Sequence, residues 1–477
     1  MASALASPRS KVHHTDIASG LSSGEGRRVL VITYNWPPDT SIGGVRPVKL
    51  VAQLKAQGWE PIILTVQDRY YEQLDSKLVD SAAGPIVIRT RCLPNFPRLY
   101  VAVRSFLARL LVRSKGPSQA QNGGTETVPD IAGSGRSGML KRILLSVLYT
   151  PDENIGWLPF GLWQALKAVR KYRVSGMIST GPPFTAHVVA LLTRVLFRVS
   201  WIADFRDPWA MSETRPSEYT SGLSNWVNQR IERAVVHQAD RVVCVTPFMT
   251  QWYREHYPEL PIEHWETITN GFSACEFDTV AETPLSAKFT ISYLGSIEYE
   301  RTPELLFHAV RDLCREGLMK RQDVEIRLVG KCHEVRGRPM TELIATYELS
   351  DIVTIVPAVP RREALKEMRQ AHVLLLLAPS QRLQIPGKAY EYIGANRRIV
   401  AVTEQDGATA DVIRSVGGAV VSQNDVTAMK KVLEAWYGEF RYGLDPLVKP
   451  SQPETTSAAF EWTRLGARYA QVLREVC

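Results

Sequence analysis

HVLLLLAPSQRLQIPGKAYEYIGANRRIVAVT, residues 372–403, is the stretch on which the fold turns. It opens with an apolar run, HVLLLLA (372–378), and crosses a loop into a helix that begins after Gly387 and Lys388. It closes with a second run, RIVAVT (398–403). Nearly uninterrupted apolar runs of this length, separated by helical segments, mark parallel strands buried on both faces. Working outward, the same alternation recurs on either side. Four further runs belong with these two: FTISYLG (289–295), VEIRLVG (324–330), IVTIVP (352–357) and GAVVS (418–422). An earlier series reads RVLVITY (28–34), EPIILTV (60–66), PIVIR (85–89), GMIST (176–180), SWIADF (200–205) and RVVCVT (241–246). Two such series predict an α/β protein of two doubly wound domains.

Punctuation between the series sets the boundaries. Residues 1–26 are rich in Ala, Ser and Gly and read as a flexible leader, and 114–138 as a polar loop. The first domain is expected over 27–275 and the second over 285–450, joined near CEFDTVAETPLSAK (275–288). A second join is expected around PLVKPSQPETTS (446–457), followed by a helix over 455–477 that crosses back onto the first domain.

Composition narrows the class. The 477 residues are 45% hydrophobic and 22% charged, enough for two full cores, and the net charge of +8 suggests an anionic partner. No zinc finger, bZIP heptad or RNP-type motif is present, so nucleic acid ranks last among such partners. The six cysteines lack CxxC or zinc-like spacing and read as reduced thiols of a cytosolic protein. No apolar run is long enough to span a membrane, and the N-terminus has no secretory h-region.

Candidate chemistry gathers at strand ends, where ligands bind in doubly wound sheets. After the first strand come Gly43, Gly44 and Arg46, either a pyrophosphate loop or an ordinary glycine turn. The dinucleotide fingerprint GxGxxG is absent there, which counts against an oxidoreductase. After GMIST, the corner formed by Gly181, Pro182 and Pro183 leads to Thr185 and His187. Asp204, Arg206 and Asp207 bunch at the end of SWIADF, as an internal ion pair or as working groups. In the second half, Gly295 and Arg301 precede a helix starting near Thr302 or Pro303, an anion-binding arrangement or a capped helix with a surface arginine. Lys388 and Glu391 share a helix face at i, i+3. They read as a phosphate ligand and a ribose ligand, or as a local ion pair.

Taken together these pieces resemble the retaining glycosyltransferases of family 4, which have the GT-B fold. The opening Gly-Gly loop, ADRVVCVTPFM (239–249), TITNGFSACEF (267–277), YLGSIEYERTPELL (293–306) and IPGKAYEYIGANRRIVAV (385–402) match the family's segments in order and separation. The resemblance implies two Rossmann-like domains facing across a cleft, and transfer of a sugar from a nucleotide-sugar donor with retention. It places Arg301 and Lys388 on the donor diphosphate and Glu391 on the ribose, with Gly43, Gly44, Arg46, Gly295 and Gly387 on the donor side. Arg206 and Asp207 fall where the family has its first-domain histidine and join Arg301 and Lys388 as catalytic candidates. Asp204, Pro183 and Thr185 are assigned to the acceptor side. Leu383 stands where the common family motif has a glutamate. The nucleotide sugar is a co-substrate, no cofactor is implied, and with no D-x-D element the chemistry is expected to be metal-independent. The basic amphipathic stretch RLYVAVRSFLARLLVRSK (98–115) points to an anionic membrane surface and to a glycan or lipid-linked acceptor, as in surface-polysaccharide or glycolipid synthesis. A sugar-nucleotide epimerase of the same fold, or a non-catalytic nucleotide-sugar-binding protein, are the alternatives.

Overall fold

The computed structural model describes residues 27–75, 78, 84–94, 146, 148–209, 221–298, 300–444 and 457–477. The leader, the 98–115 helix, the 114–138 loop and nearly all of the 446–457 join lie outside the described residues.

In the first domain the apolar runs form β1 (Arg27–Ile32), β2 (Trp59–Val66), β3 (Ile86–Thr90), β4 (Gly176–Gly181), β5 (Ser200–Phe205), β6 (Arg241–Cys244) and β7 (Trp265–Thr267). They make one parallel sheet in the order β3-β2-β1-β4-β5-β6-β7. One face carries α2 (Leu158–Tyr172), α3 (Thr185–Phe197), α4 (Gly222–Gln238) and α5 (Pro247–His256), over a core that includes Leu30, Trp157, Trp201 and Phe205. The other face carries α1 (Val45–Ala56). A short linker helix, α6 (Ala274–Asp278), leads to the second domain.

There the strands are β8 (Phe289–Leu294), β9 (Val324–Val329), β12 (Val353–Val356), β13 (Val373–Ala378), β14 (Arg398–Thr403) and β15 (Ala419–Val421), parallel in the order β12-β9-β8-β13-β14-β15. A small hairpin, β10 (Glu334–Val335) with β11 (Arg338–Pro339), follows β9. Helices α7 (Glu304–Arg315), α8 (Met340–Thr346) and α12 (Val426–Arg441) cover one face, and α9 (Arg361–Gln370), α10 (Gly387–Ala395) and α11 (Ala408–Ser415) the other. Both sheets reverse strand order beside their first strand, so the loops after β1 and β4, and those after β8 and β13, open a crevice at each carboxyl edge.

The chain then recrosses. Phe272 N donates to Phe460 O and Trp462 N to Phe272 O, both at 3.0 Å, so the outward and return crossings run side by side. Helix α13 (Trp462–Val476) lies on α1, burying Trp462, Tyr469 and Leu473 against Val29, Val31 and Ile202.

A buried ion pair joins these parts and revises two expectations. Asp204 is fully buried, and its partner is Arg46 of α1: Nη2 reaches Oδ1 at 2.7 Å and Nε reaches Oδ2 at 3.0 Å. The Thr180 hydroxyl donates to the same carboxylate at 2.7 Å, and Arg46 also donates to the carbonyls of Ile268 and Thr269 at 2.9 and 2.8 Å. Although burial alone would raise the Asp204 carboxyl, the Arg46 charge and hydrogen bonds hold it below its usual range. Asp204 is therefore not an acceptor ligand, and the Arg46 guanidinium is not free for a diphosphate.

Breaking such a pair from one side leaves a buried, unanswered charge. Arg46→Met is expected to lower stability by about 3–5 kcal/mol, and Arg46→Met with Asp204→Leu to recover most of that loss. Urea unfolding of Arg46→Met, Asp204→Leu and the double variant checks this; additive losses would contradict it.

Candidate functional site

Between the carboxyl edges of the two sheets lies a cleft of about 910 Å³. Its first-domain wall includes the turn at Ile42 and Gly43, the segment Tyr149 to Asn154, the Pro182–Pro183 corner, Arg206 and Asp207. Its second-domain wall includes Gly295, Arg301, Gly330, Val359 and the segment Gln384 to Lys388 with Glu391.

The second-domain wall offers an uncapped helix start and basic side chains to an anion. Helix α10 starts at Gly387 with Pro386 before it, no side-chain cap and no acidic residue in its first turn, so its free N–H groups meet the cleft without an internal counter-charge. Lys388 projects from that turn. Its Nζ donates to Tyr293 Oη at 2.9 Å and lies 4.2 Å from the centre of the tyrosine ring. Burial first, and then the neighbouring Arg301, push this ammonium down to about 7. Arg301 has no carboxylate partner for its guanidinium among the described residues, which leaves two cations facing an uncapped helix end. Gly295 makes room for them: its φ is +129°, and a Cβ there would lie 2.6 Å from Lys388 Nζ. Glu391 sits one turn further along α10, where Oε1 accepts from Nη1 of Arg361.

The opposite wall is organised differently. Arg206 Nη1 donates to Gly43 O, which fixes the turn before α1. Asp207 Oδ1 accepts from Gln384 Nε2 across the cleft at 2.5 Å, and Thr246 Oγ1 donates to Leu383 O at 2.6 Å. Burial pushes the Asp207 carboxyl up, against the downward pull of Arg206 and Gln384. The position where the common family motif has a glutamate thus holds a leucine docked through its backbone. Its neighbour Gln384 reaches Asp207 on the facing wall.

Of the sequence candidates, Gly43, Pro183, Arg206, Asp207, Gly295, Arg301, Gly387, Lys388 and Glu391 meet in this cleft. Arg46 touches its floor with a guanidinium already committed to Asp204. Gly44, expected on the donor side, is buried as the residue before α1. Thr185, expected on the acceptor side, is buried at the start of α3. Its N–H and hydroxyl donate to Asp152 at 2.8 and 2.9 Å, which satisfies an otherwise unpaired helix end. His187 is also buried, with Nδ1 2.7 Å from Ser179 Oγ and its ring against Phe184, Phe205 and Trp209; burial pushes it down to about 3, so it stays neutral. Asp152, Gln384 and Arg361 were not singled out from sequence. Arg361 alone carried a signal, as a cation opening a helix just after a strand.

Comparison with known proteins places this geometry. Residues 43–271 match the model of the glycosyl transferase 4-like domain, and residues 288–438 that of the glycosyl transferases group 1. A D-inositol 3-phosphate glycosyltransferase of Streptosporangium roseum is 24% identical over 252 residues, a match that spans 50% of this chain and 56% of that relative's length. The structure resembles a glycosyltransferase from Rickettsia africae (TM-score 0.60, 14% identity, 95% of this chain and 99% of the other). It also resembles Anabaena HepE in complex with UDP (TM-score 0.58, 11% identity, 94% and 100%). With both domain models matched in order on a two-sheet GT-B architecture, the chain belongs to the family 4 glycosyltransferases.

Proposed function

We propose that the protein transfers a sugar from a nucleotide-sugar donor to an acceptor hydroxyl, with retention at the anomeric carbon. The observation that carries this reading is the convergence of Arg301, Lys388 and the uncapped start of α10 on one wall of the cleft, over a glycine floor. In this reading Arg301, Lys388 and the α10 amides hold the donor diphosphate, and Glu391 accepts hydrogen bonds from the ribose hydroxyls. The bond between the anomeric carbon and the diphosphate oxygen breaks, and the acceptor oxygen bonds to that carbon on the same face. The acceptor's proton leaves with the diphosphate. Negative charge grows on the diphosphate as the bond breaks, so two fixed cations stabilise the transition state more than the bound donor. Asp207 accepts a hydrogen bond from the acceptor hydroxyl and so orients it. No step calls on a metal ion, and transfer is expected to persist in EDTA.

The acceptor reading extends to a glycan or lipid-linked acceptor presented at an anionic membrane surface, as in surface-polysaccharide or glycolipid synthesis. Support comes from the outer helices of the first domain, where exposed Trp163 pairs with Lys167 and exposed Trp226 with Arg230. Aromatic rings beside cations suit the boundary between lipid headgroups and water. Among the described residues no helix is long and apolar enough to cross a membrane.

The donor reading is tested with a thermal-shift panel of UDP-, GDP-, ADP- and dTDP-sugars. One nucleotide class is expected to stabilise the protein, by about 2.7 kcal/mol at about 100 times Kd. The gain should be lost in Glu391→Ala, and NMR of the product should give the donor's anomeric configuration. Stabilisation that is unchanged in Glu391→Ala would remove that residue from the ribose role.

Lys388 predicts a pH dependence. Its ammonium is present below about 7 and lost above it, so donor affinity is expected to be full at pH 6 and to weaken through neutrality. The decline should approach about tenfold per pH unit. In calorimetry between pH 6 and 8.5, Lys388→Met should bind weakly at every pH; a wild-type affinity that is flat over this range would exclude the lysine.

Co-sedimentation with phosphatidylglycerol vesicles at low salt checks the surface reading, with Trp163→Ala and Trp226→Ala together reducing the bound fraction. Equal binding by the double variant would place the contact elsewhere.

A further inference from the structure

Lys388 and Glu391 stand at the spacing where opposite charges on one helix pair with each other. No hydrogen bond or ion pair joins them here among the described residues. The lysine turns to Tyr293, and Oε1 of the glutamate is taken by Nη1 of Arg361, the first residue of α9. Arg361 is itself held in place. Its Nε and Nη2 donate to Glu276 Oε2 at 3.0 and 2.9 Å, and Glu276 Oε1 pairs with Lys49 Nζ of α1. The charges alternate along Lys49, Glu276, Arg361 and Glu391, from the first domain through the linker helix to the donor wall.

An arginine suits this place for a geometric reason. Its planar fork can satisfy two carboxylates at once, whereas a lysine presents a single compact charge. With one edge bound to Glu276, the guanidinium has a fixed direction in which to draw Glu391. In a cleft only partly open to water an unrestrained Lys388 and Glu391 attract each other more strongly than they would on a wet surface. A direct pair between them would neutralise the cation meant for the diphosphate and occupy the carboxylate meant for the ribose. Glu391 Oε2, by contrast, has no partner among the described residues.

We propose that Arg361 is a positioning residue of the donor site: by holding Glu391 it prevents the lysine and glutamate of α10 from neutralising each other, and so keeps both available to a nucleoside diphosphate sugar. What the two residues bind rests on the donor reading above, but how they are held does not. The groups facing the Lys388 ammonium are Tyr293 of β8, Glu298 and Arg301 from the loop after it, Cys332 after β9, and Glu391 on its own helix.

The test is a titration of Lys388 in the ligand-free protein, by NMR of 13C-dimethylated lysines with Lys388→Met for assignment. The wild type is expected to titrate at about 7. Arg361→Met frees Glu391 to pair with the lysine and should raise the midpoint by roughly one pH unit or more. Arg361→Lys should recover only part of the wild-type behaviour. In a Glu391→Ala background, Arg361→Met should produce no further shift. An unchanged midpoint in Arg361→Met overturns the proposal, as does an equal shift when Glu391 is absent, because the arginine would then act on Lys388 directly. If Arg361→Met fails to fold, Glu276→Gln loosens the arginine without touching the donor wall and should shift the midpoint in the same direction. In parallel, UDP-glucose affinity is measured on the same variants and is expected to fall about tenfold in Arg361→Met. A wild type that binds no nucleotide sugar counts against the donor reading, while the ligand-free titration still decides the role of Arg361.

Discussion

The ion pair between Arg46 and Asp204 is the constraint on which the rest of the molecule depends. It ties the first turn of α1 to the end of β5 and to the chain as it leaves the first sheet at Ile268 and Thr269. Three segments that shape the cleft are thereby fixed to one another: the turn after β1, the strand end carrying Arg206 and Asp207, and the crossing to the second domain. Buried charges earn their place only through geometry, since desolvation opposes them. Here each carboxylate oxygen and most guanidinium donors are answered, and Trp462 of the returning helix lies against the arginine, 5.9 Å from its carbon to the ring centre.

The two walls of the cleft use charge in opposite ways. On the first-domain wall, charges are answered by neutral polar groups: Arg206 holds the Gly43 carbonyl, and Asp207 is bound from across the cleft by the Gln384 amide. On the second-domain wall, Arg301 and Lys388 have no carboxylate partners among the described residues. Burial first, and the neighbouring Arg301 second, weigh against the Lys388 ammonium, and its depression expresses the cost of holding such groups there in the absence of an anion. Strain of this kind is normal where a site is complementary to a ligand rather than to itself.

The architecture was legible in the sequence because a strand buried on both faces must be apolar along its length. SWIADF and RIVAVT coincide with β5 and β14, and the other runs agree to within a residue or two at their ends. Three-residue β7 and the β10–β11 hairpin escaped, being too short for any periodic signal. Gly295, Arg301, Gly387, Lys388 and Glu391 stood out because strand ends and helix starts are recognisable locally. Partners were not legible. A buried charge announces that something must answer it, but Asp204 is answered from 158 residues away, Asp207 from 177 and Glu391 from 30. For that reason Arg46 was read as a phosphate ligand and Asp204 as an acceptor group, when each is chiefly the other's counter-ion.

The return of α13 to the first sheet bears on how the chain is made. The face of that sheet bearing Val29, Val31 and Ile202 is covered by α1 together with a helix that follows the entire second domain in sequence. On a ribosome, which releases the chain from its N-terminus, this apolar face has only α1 to cover it while the whole second domain is synthesised. The first domain therefore cannot finish folding when its own strands are complete. The closure of that core waits for the last helix of the chain.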